Sequence, residues 1–449
     1  MPRESFNKGI ELYEQASYTE AVAAHTEAID RDAEFADAHL ARGNAYFQLG
    51  EHEAALRDYD RAVNLRPDHA ATYVNRGVVR RQLNLYDAAV SDFTRALDLD
   101  PSYAGALFRR ANTFCLMGDI DSAIADYSRA IDLSPDDPDL HYHRSFAYDI
   151  NEEFDKAIAG YTKVIRLDSD YLAAYTGRAE DYTITGQYEL AVDDFSTVAE
   201  KQPGSPLVYL HRGRVYARMG RPDLALADFS RTLELEPGHR DALFARASAH
   251  RALGDPDNAL QDLQQLADSD ENNIHAWLEL GGLHLDRGNY REALDCYDRV
   301  LEMRPDHTAA HNNRGLALRG CSLDSEALAA FHSALELDPD YAPAYNNRGL
   351  VRQARGDHKG AIADFSEALD RNPRYAVALN NRGVSHRKTG QPDRAIQDYD
   401  AALGINPDYA VAWHNRAKAH LDKDDPAGAQ QDFDRARALG FSGQDEDDD

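Results

Sequence analysis

The sequence has 449 residues and a formal charge of −29, from 78 acidic and 49 basic side chains. This acidic balance repels phosphate backbones and argues against general nucleic-acid binding. The three cysteines are too few and too scattered for a disulfide framework or a zinc knuckle, and the sequence shows neither a secretory signal nor an apolar run of about 18 residues. We therefore expect a soluble, cytoplasmic protein that works without a membrane, a cofactor or a metal ion.

A period of 34 residues accounts for nearly the whole chain. Counted from residue 2, thirteen units follow one another without an insertion and cover residues 2–443. Position 20 of the unit is alanine in every copy, position 24 is aromatic in eleven, and position 8 is always glycine, alanine or serine. We expect one continuous array, followed by a disordered acidic tail at 444–449. The units begin at residues 2, 36, 70, 104, 138, 172, 206, 240, 274, 308, 342, 376 and 410.

Each unit predicts two α-helices. Apolar or small residues at positions 4, 8 and 11 form one helical stripe, and those at positions 20, 21, 24, 27 and 28 form a second. Glycine near position 15, as at Gly50 and Gly118, separates the helices, and proline near position 32, as at Pro67, ends the second helix. Folding the hairpin about position 14 brings position 8 opposite position 20, so we expect a close approach of the helices between those two small residues.

This combination of small, aromatic and proline positions resembles the tetratricopeptide repeat (TPR) family. The resemblance implies an all-α fold, an α-solenoid of thirteen consecutive helix-turn-helix units that coils into a right-handed superhelix. It also implies that the first helices line the concave face. Members of the family mostly bind other proteins or peptides, so the resemblance implies a protein or peptide partner.

Two charged positions recur together along the chain. Position 7 is arginine in eleven units, and position 23 is aspartate in nine, all of which also carry the arginine. Both positions lie eight residues from position 15, so an antiparallel hairpin places them at about the same height. We predict an ion pair between the two helices of a unit, as between Arg76 and Asp92.

The residues at positions 2, 6, 9 and 13 cluster opposite the core stripe, because successive residues turn by about 100° around a helix. In the family's fold these positions line the groove. In the early and middle units they are polar and of mixed charge, which suits an acidic segment of a partner. Candidate contacts there are Asn75, Arg109, His143, His211 and Arg214.

Part of this set resembles the carboxylate-clamp TPR domains, which bind the tails of chaperones. Asn44, Asn75 and Arg109 match three of the clamp positions, whereas Leu40 and Gly105 stand where that group has lysines. The missing cations argue against capture of a terminal carboxylate.

Asparagine occupies position 6 in four successive late units, with aliphatic residues nearby. The amides are Asn313, Asn347, Asn381 and Asn415, and the aliphatic neighbours include Leu316, Leu350 and Val384. Amides offer a donor and an acceptor to the backbone of an extended peptide. The pattern resembles the asparagine ladder in the superhelical TPR part of O-linked N-acetylglucosamine transferase, whose catalytic half has no counterpart here. The alternative is a solvated amide that was copied when the repeats duplicated.

The sequence carries none of the phosphate-loop, nucleophile-elbow or zinc-protease motifs, and the repeats leave no room for a catalytic domain. We predict a non-enzymatic scaffold that binds an extended peptide or partner segment in the groove. A first alternative is an adaptor that docks folded partners through its edges or convex face. A second is an enzyme with a site in the groove.

Overall fold

The structure is a computed structural model that describes residues 1–442, so the predicted tail at 444–449 lies outside the described residues. Within residues 1–442 the chain forms 26 helices and no strand. It divides into two compact parts, residues 1–235 and the residues from 236 onward, and each part is a row of helix hairpins. The predicted fold class, all-α with helix pairs of the solenoid type, is confirmed. One continuous array over 2–443 stays a prediction.

The first part contains seven hairpins. Its helices are α1 Pro2–Glu14, α2 Tyr18–Arg31, α3 Ala36–Gln48, α4 His52–Leu65, α5 Ala70–Gln82, α6 Tyr86–Leu99, α7 Ala104–Met117, α8 Ile120–Leu133, α9 Pro138–Ile150, α10 Phe154–Leu167, α11 Leu172–Ile184, α12 Tyr188–Lys201, α13 Pro206–Arg218 and α14 Pro222–Leu235.

The second part contains six hairpins of similar length. Its helices are α15 Arg240–Ala252, α16 Pro256–Ser269, α17 Ile274–Asp286, α18 Tyr290–Met303, α19 Thr308–Gly320, α20 Asp324–Leu337, α21 Ala342–Ala354, α22 His358–Arg371, α23 Ala376–Lys388, α24 Pro392–Ile405, α25 Ala410–Leu421 and α26 Pro426–Ala438. In both parts the first helix of every hairpin begins at the residue where the 34-residue period starts a unit.

The turn inside each hairpin requires a left-handed residue at position 15. Eight of these residues are glycines with φ between 69° and 80°. The remaining five are not glycine, and they adopt φ values of 58–61° all the same. A side chain disfavours this region by about 1–2 kcal/mol, so packing of the two helices imposes the turn even where the residue opposes it. The five are Ala16, Asn84, Glu152, Ser322 and Asp424.

The small residue at position 8 packs against the aromatic ring at position 24, a contact that the sequence did not predict. Where position 8 is alanine, it also shares a core cluster with the alanine at position 20, as Ala111 does with Ala123 and Ala247 with Ala259, in keeping with the predicted pairing. A Cβ added to Gly43 would lie 2.8 Å from the Tyr59 ring, and one added to Gly349 would lie 2.7 Å from the Phe365 ring. At these two glycines the ring spans the gap between the helices and leaves no volume for a side chain opposite it. The invariant alanine is buried as well, as Ala361 shows.

The predicted Arg–Asp ion pair forms in all nine units that carry both residues. The Nε and Nη2 atoms of the arginine donate to the two carboxylate oxygens, over N···O distances of 2.6–3.2 Å. Each aspartate is buried. The pairs are Arg42–Asp58, Arg76–Asp92, Arg110–Asp126, Arg178–Asp194, Arg212–Asp228, Arg246–Asp262, Arg348–Asp364, Arg382–Asp398 and Arg416–Asp432.

The same arginines also connect neighbouring units, which the sequence did not suggest. The Nη1 atom of Arg178 donates to the Thr162 hydroxyl at 2.9 Å, and that of Arg382 donates to Ser366 at 3.1 Å. The acceptor is at position 25 of the preceding unit in both cases. One guanidinium therefore holds its own hairpin together and fastens it to the second helix of the hairpin before it.

The cysteines and the apolar character of the helices were also subjects of the sequence predictions. Cys115, Cys296 and Cys321 are free thiols. Across residues 1–442 the structure contains no helix with the length and apolar character needed to cross a bilayer.

Candidate binding sites on the first helices

We call the side chains at positions 2, 6, 9 and 13 of the first helices the first-helix face. A cavity of about 410 Å³ opens along this face between α1, α3, α5 and α7. The predicted contacts Asn75 and Arg109 both line it, together with Asn44, Gln48 and Arg81. Four successive units thus contribute to one polar cavity.

Hydrogen bonds make this cavity rich in donors. The Tyr59 hydroxyl donates to Asn44 Oδ1 at 2.8 Å, and Asn75 Nδ2 donates to the same oxygen at 3.0 Å. Burial raises the pKa of Tyr59 far above its ordinary value, so the hydroxyl keeps its proton. The Asn44 oxygen is therefore occupied, while the two hydrogens on its nitrogen have no acceptor in the described part of the chain.

Two guanidinium groups face the same space. Burial and the charge of Arg109 together lower the pKa of Arg81, although both side chains remain cationic at neutral pH. Among residues 1–442, no carboxylate lies within ion-pair distance of either one, in a chain whose net charge is −29. Two like charges held together without a counter-ion favour the binding of an anion.

Arg81 is a site residue that the sequence analysis missed. It lies at position 12, outside the four positions selected by helical geometry. Together with Arg109 it places two cations in the cavity, whose lining includes neither Leu40 nor Gly105. A signal was available, because Arg80, Arg81 and Gln82 make the last turn of α5 polar and basic.

The predicted histidine contacts lie against aromatic rings. His143 makes an edge contact with Phe108 at a centroid distance of 5.0 Å, and burial lowers its pKa. His211 stacks on Phe195 at 5.8 Å, and burial followed by Arg214 lowers its pKa. Both imidazoles are therefore mainly neutral packing groups. Arg214 is exposed on the same helix as His211.

In the second part the asparagines form a chain of hydrogen bonds from one unit to the next. Asn347 Nδ2 donates to Asn312 Oδ1, Asn381 Nδ2 to Asn346 Oδ1, and Asn415 Nδ2 to Asn380 Oδ1, each at 3.0 Å. The acceptors are the buried asparagines at position 5 of the preceding units. This set is called the amide zipper below.

Within a unit the zipper continues between adjacent residues. Asn312 Nδ2 donates to Asn313 Oδ1 at 3.0 Å, and Asn346 Nδ2 donates to Asn347 Oδ1 at 3.3 Å. A primary amide has two N–H donors and two acceptor lone pairs. Asn347 therefore uses half of its capacity inside the protein and retains one donor and one acceptor.

The aliphatic neighbours of the zipper are less open than the sequence pattern suggested. Leu316, Leu350 and Val384 are each partly buried. Leu316 packs on the core around Phe331, and Val384 packs on the core around Tyr399. Leu316 and Val384 therefore extend the core of their own hairpins.

The described residues contain no group of three or more His, Cys, Asp or Glu side chains placed to hold a metal ion.

Comparison with protein families matches two descriptions to the chain. The family models described as TPR repeat match residues 9–50, 43–84 and 111–149. Models described as tetratricopeptide repeat match 70–103, 210–274, 250–314, 325–376 and 346–410. The hairpins continue with unchanged lengths through residues 150–209, between these matches. No curated protein matches the sequence.

Solved structures of similar fold share little sequence with the chain. The Cut9–Hcn1 hetero-tetramer of the APC/C gives 14% identity over 92% of this chain and 95% of the other, with a TM-score of 0.42. Yeast Tom70 gives 16% identity over 91% and 92%, with a TM-score of 0.43. A tetratricopeptide repeat protein from Parabacteroides merdae gives 20% identity over 56% and 98%, with a TM-score of 0.46. The repeat matches and the 34-residue hairpins together show that the chain belongs to the tetratricopeptide repeat family.

Proposed function

We propose that the protein is a non-enzymatic interaction scaffold whose first part binds an acidic segment of a partner protein along the first-helix face. The observation that carries this proposal is the cavity containing Arg81 and Arg109. Two unpaired guanidiniums and the amide hydrogens of Asn44 converge there, and nothing acidic lines the space. The chemistry recognised is a carboxylate, either at a chain terminus or on an aspartate or glutamate side chain.

The shape of the site suits an extended segment. The cavity is formed by the first helices of four consecutive units, so a ligand crosses several helices rather than entering one pocket. Amide and guanidinium groups bind carboxylates through charge-assisted hydrogen bonds, which are about twice as strong as neutral ones. A ligand bound at a single pair of arginines is expected to bind weakly, with the rest of its affinity supplied by contacts further along the face.

The proposal is tested with short synthetic peptides and fluorescence anisotropy. One peptide ends in two acidic residues with a free carboxylate, a second has the same sequence with an amidated terminus, and a third has neutral amides in place of the acids. We expect the acidic peptides to bind the full chain and the neutral one to bind at least about tenfold more weakly. A difference between the first two distinguishes a terminal carboxylate from acidic side chains.

A charge-matched control distinguishes binding at the cavity from attraction by the overall charge of the protein. Arg81→Ala with Arg109→Ala removes both cavity cations, whereas Arg57→Ala with Arg61→Ala removes two exposed cations from α4. The first variant should lose the preference for acidic peptides, and the second should keep it. Equal binding by both variants would contradict the proposal.

The amide zipper is a second candidate contact, carried by the donor and the acceptor that each position-6 amide retains. Its test needs a structural control, because removal of Asn347 or Asn381 strands the buried amide of Asn312 or Asn346. Asn313→Asp keeps the oxygen that accepts from the buried Asn312 Nδ2 and removes only the two amide hydrogens of the first asparagine in the zipper. Loss of peptide binding in that variant, with unchanged stability, would support a contact between the zipper and the peptide. Unchanged binding would exclude this contact.

A further inference from the structure

Three successive first helices of the first part expose an aliphatic side chain at position 13. Leu116, Ile150 and Ile184 are 60%, 47% and 58% exposed, and Phe146, one turn before Ile150, is 47% exposed. Exposed apolar side chains grouped in this way mark interaction sites. At the same position the other units carry Glu14, Gln48, Gln82, Arg218, Ala252, Asp286, Gly320, Ala354, Lys388 and Asp422. We call Leu116, Phe146, Ile150 and Ile184 the apolar stripe.

Carboxyl groups lie beside the apolar stripe. Asp149 precedes Ile150 on α9, and Glu180 is one turn before Ile184 on α11. Burial, Asp149 and Glu180 together raise the pKa of Asp181 well above its ordinary value, and burial and Asp149 raise that of Glu180. The three carboxyls are therefore close to one another.

The described part of the chain supplies no lysine or arginine to these carboxyls. Glu180 has His211 at 4.0 Å, at the limit of an ion pair, and burial keeps that imidazole mainly neutral. Asp181 is 0% exposed, and its oxygens face the carboxyl of Asp149 and no cation among residues 1–442. A group of acids without a counter-ion attracts a cation from outside the chain.

Asp181 also differs in charge from the residues at position 10 of the other units. Position 10 is buried in the other units from the second onward, where it is an uncharged residue such as Ala147 or Val215. A buried carboxyl without a counter-ion is destabilising. Sites where a local rule is broken without compensation are commonly functional.

We propose that the face formed by α7, α9 and α11 binds a partner segment that presents one lysine or arginine to Asp149 and Glu180, with apolar side chains on the apolar stripe at either side. The site extends the proposed function to a second subsite of different chemistry. It does not require the cavity at Arg81 and Arg109, so the two fail separately.

The spacing of the helices sets the pattern of such a segment. Packed helices lie about 8–10 Å apart, and an extended chain advances about 3.3 Å per residue. Equivalent positions on successive first helices are therefore about three residues apart along the ligand. The segment places an apolar residue at every third position over the stripe, with the basic residue between the contacts to Ile150 and Ile184.

A random peptide display library is the probe. The selection uses the full chain carrying Arg81→Ala and Arg109→Ala, which removes the acid-binding cavity. We expect enriched peptides with one basic residue between apolar residues about three positions apart. Adding Asp149→Asn with Glu180→Gln should weaken binding of the best peptide at least about tenfold, and Ile150→Ser with Ile184→Ser should weaken it as well.

The control variant, Asp193→Asn with Glu200→Gln, removes two exposed acids from α12 and should leave the binding unchanged. The proposal is overturned if the enriched peptides lack a basic residue, if they bind the Asp149→Asn/Glu180→Gln variant as tightly as its parent, or if the selection enriches no peptide. Binding of acidic peptides to the cavity is unaffected by each of these results.

Discussion

We call the Arg–Asp ion pair between positions 7 and 23 of a unit the clamp, as distinct from the carboxylate-clamp positions. Removal of one clamp arginine should open the structure locally, and the size of the effect follows from its surroundings. Arg178 donates to Asp194 at 2.8 and 2.7 Å and to the Thr162 hydroxyl at 2.9 Å. The side chains of Arg178 and Asp194 are 15% and 8% exposed. Arg178→Ala strands a buried carboxylate, which costs about 3 kcal/mol.

The chain itself contains the matched apolar replacement. The unit at 274–307 has Leu280 and Cys296 at the two clamp positions, 1% and 4% exposed. Replacing both partners by apolar groups removes the desolvation cost together with the attraction between the charges, so the stability often changes little. Arg178→Leu with Asp194→Cys should therefore recover most of the stability that Arg178→Ala loses.

Hydrogen exchange followed by mass spectrometry measures the free energy of opening of α11 and α12 directly. A local readout is preferable, because long repeat arrays need not unfold as one unit. Lys156→Ala serves as the control, since it removes an ion pair with Glu153 at the surface and should cost much less than Arg178→Ala. The reasoning is refuted if Arg178→Ala costs no more than the control, or if the double variant is as unstable as the single one.

The remaining predictions concern local stability, measured by the same exchange experiment. Burial lowers the pKa of His25 to about 4, so as the pH falls the imidazole takes up a proton in the unfolded chain before it does so in the folded one. The free energy of opening of α1 and α2 should therefore decrease by about 3 kcal/mol between pH 6.5 and pH 4. His25→Phe should abolish this loss, and the exposed control His332→Phe should not. Asp181→Val should raise the free energy of opening of α11 by about 2 kcal/mol. The pKa of Asp181 in the folded chain is raised to about 8, so the stabilisation by Asp181→Val should increase as the pH rises from 4 toward 8. A stabilisation that decreases over this range would contradict the raised pKa. Glu152→Gly should stabilise its turn by about 1 kcal/mol by relieving a φ of 58°; no change there would show that the turn is unstrained.

The repeat made most of the fold predictable. A period without insertions fixes every helix start once one hairpin is understood, which is why the helices begin where the 34-residue register places them. The clamp between Arg76 and Asp92 was predictable because both residues lie equally far from the turn. The contact of position 8 was not predicted, because counting along the chain ignores the length of the ring that spans the helices.

The residue pattern of a single unit could not predict the contacts between units. The bond from Arg178 to Thr162 crosses a junction, as does that from Asn347 to Asn312. The sequence does contain the second amide, as Asn312 next to Asn313, but the role of Asn312 depends on burial that the sequence does not show. Arg81 and Asp181 were missed for the same reason, since positions 12 and 10 acquire their surroundings from a neighbouring unit.

The central claim is that the first-helix face of the first part receives a partner segment at Arg81 and Arg109. Photo-crosslinking tests it most directly, with the acidic peptide carrying a light-activated group next to its carboxylate. The account predicts crosslinks on α3, α5 and α7, near Phe47 and Val78, and their loss in the Arg81→Ala/Arg109→Ala variant. Crosslinks that fall on the second helices, or that persist in this variant, would contradict it.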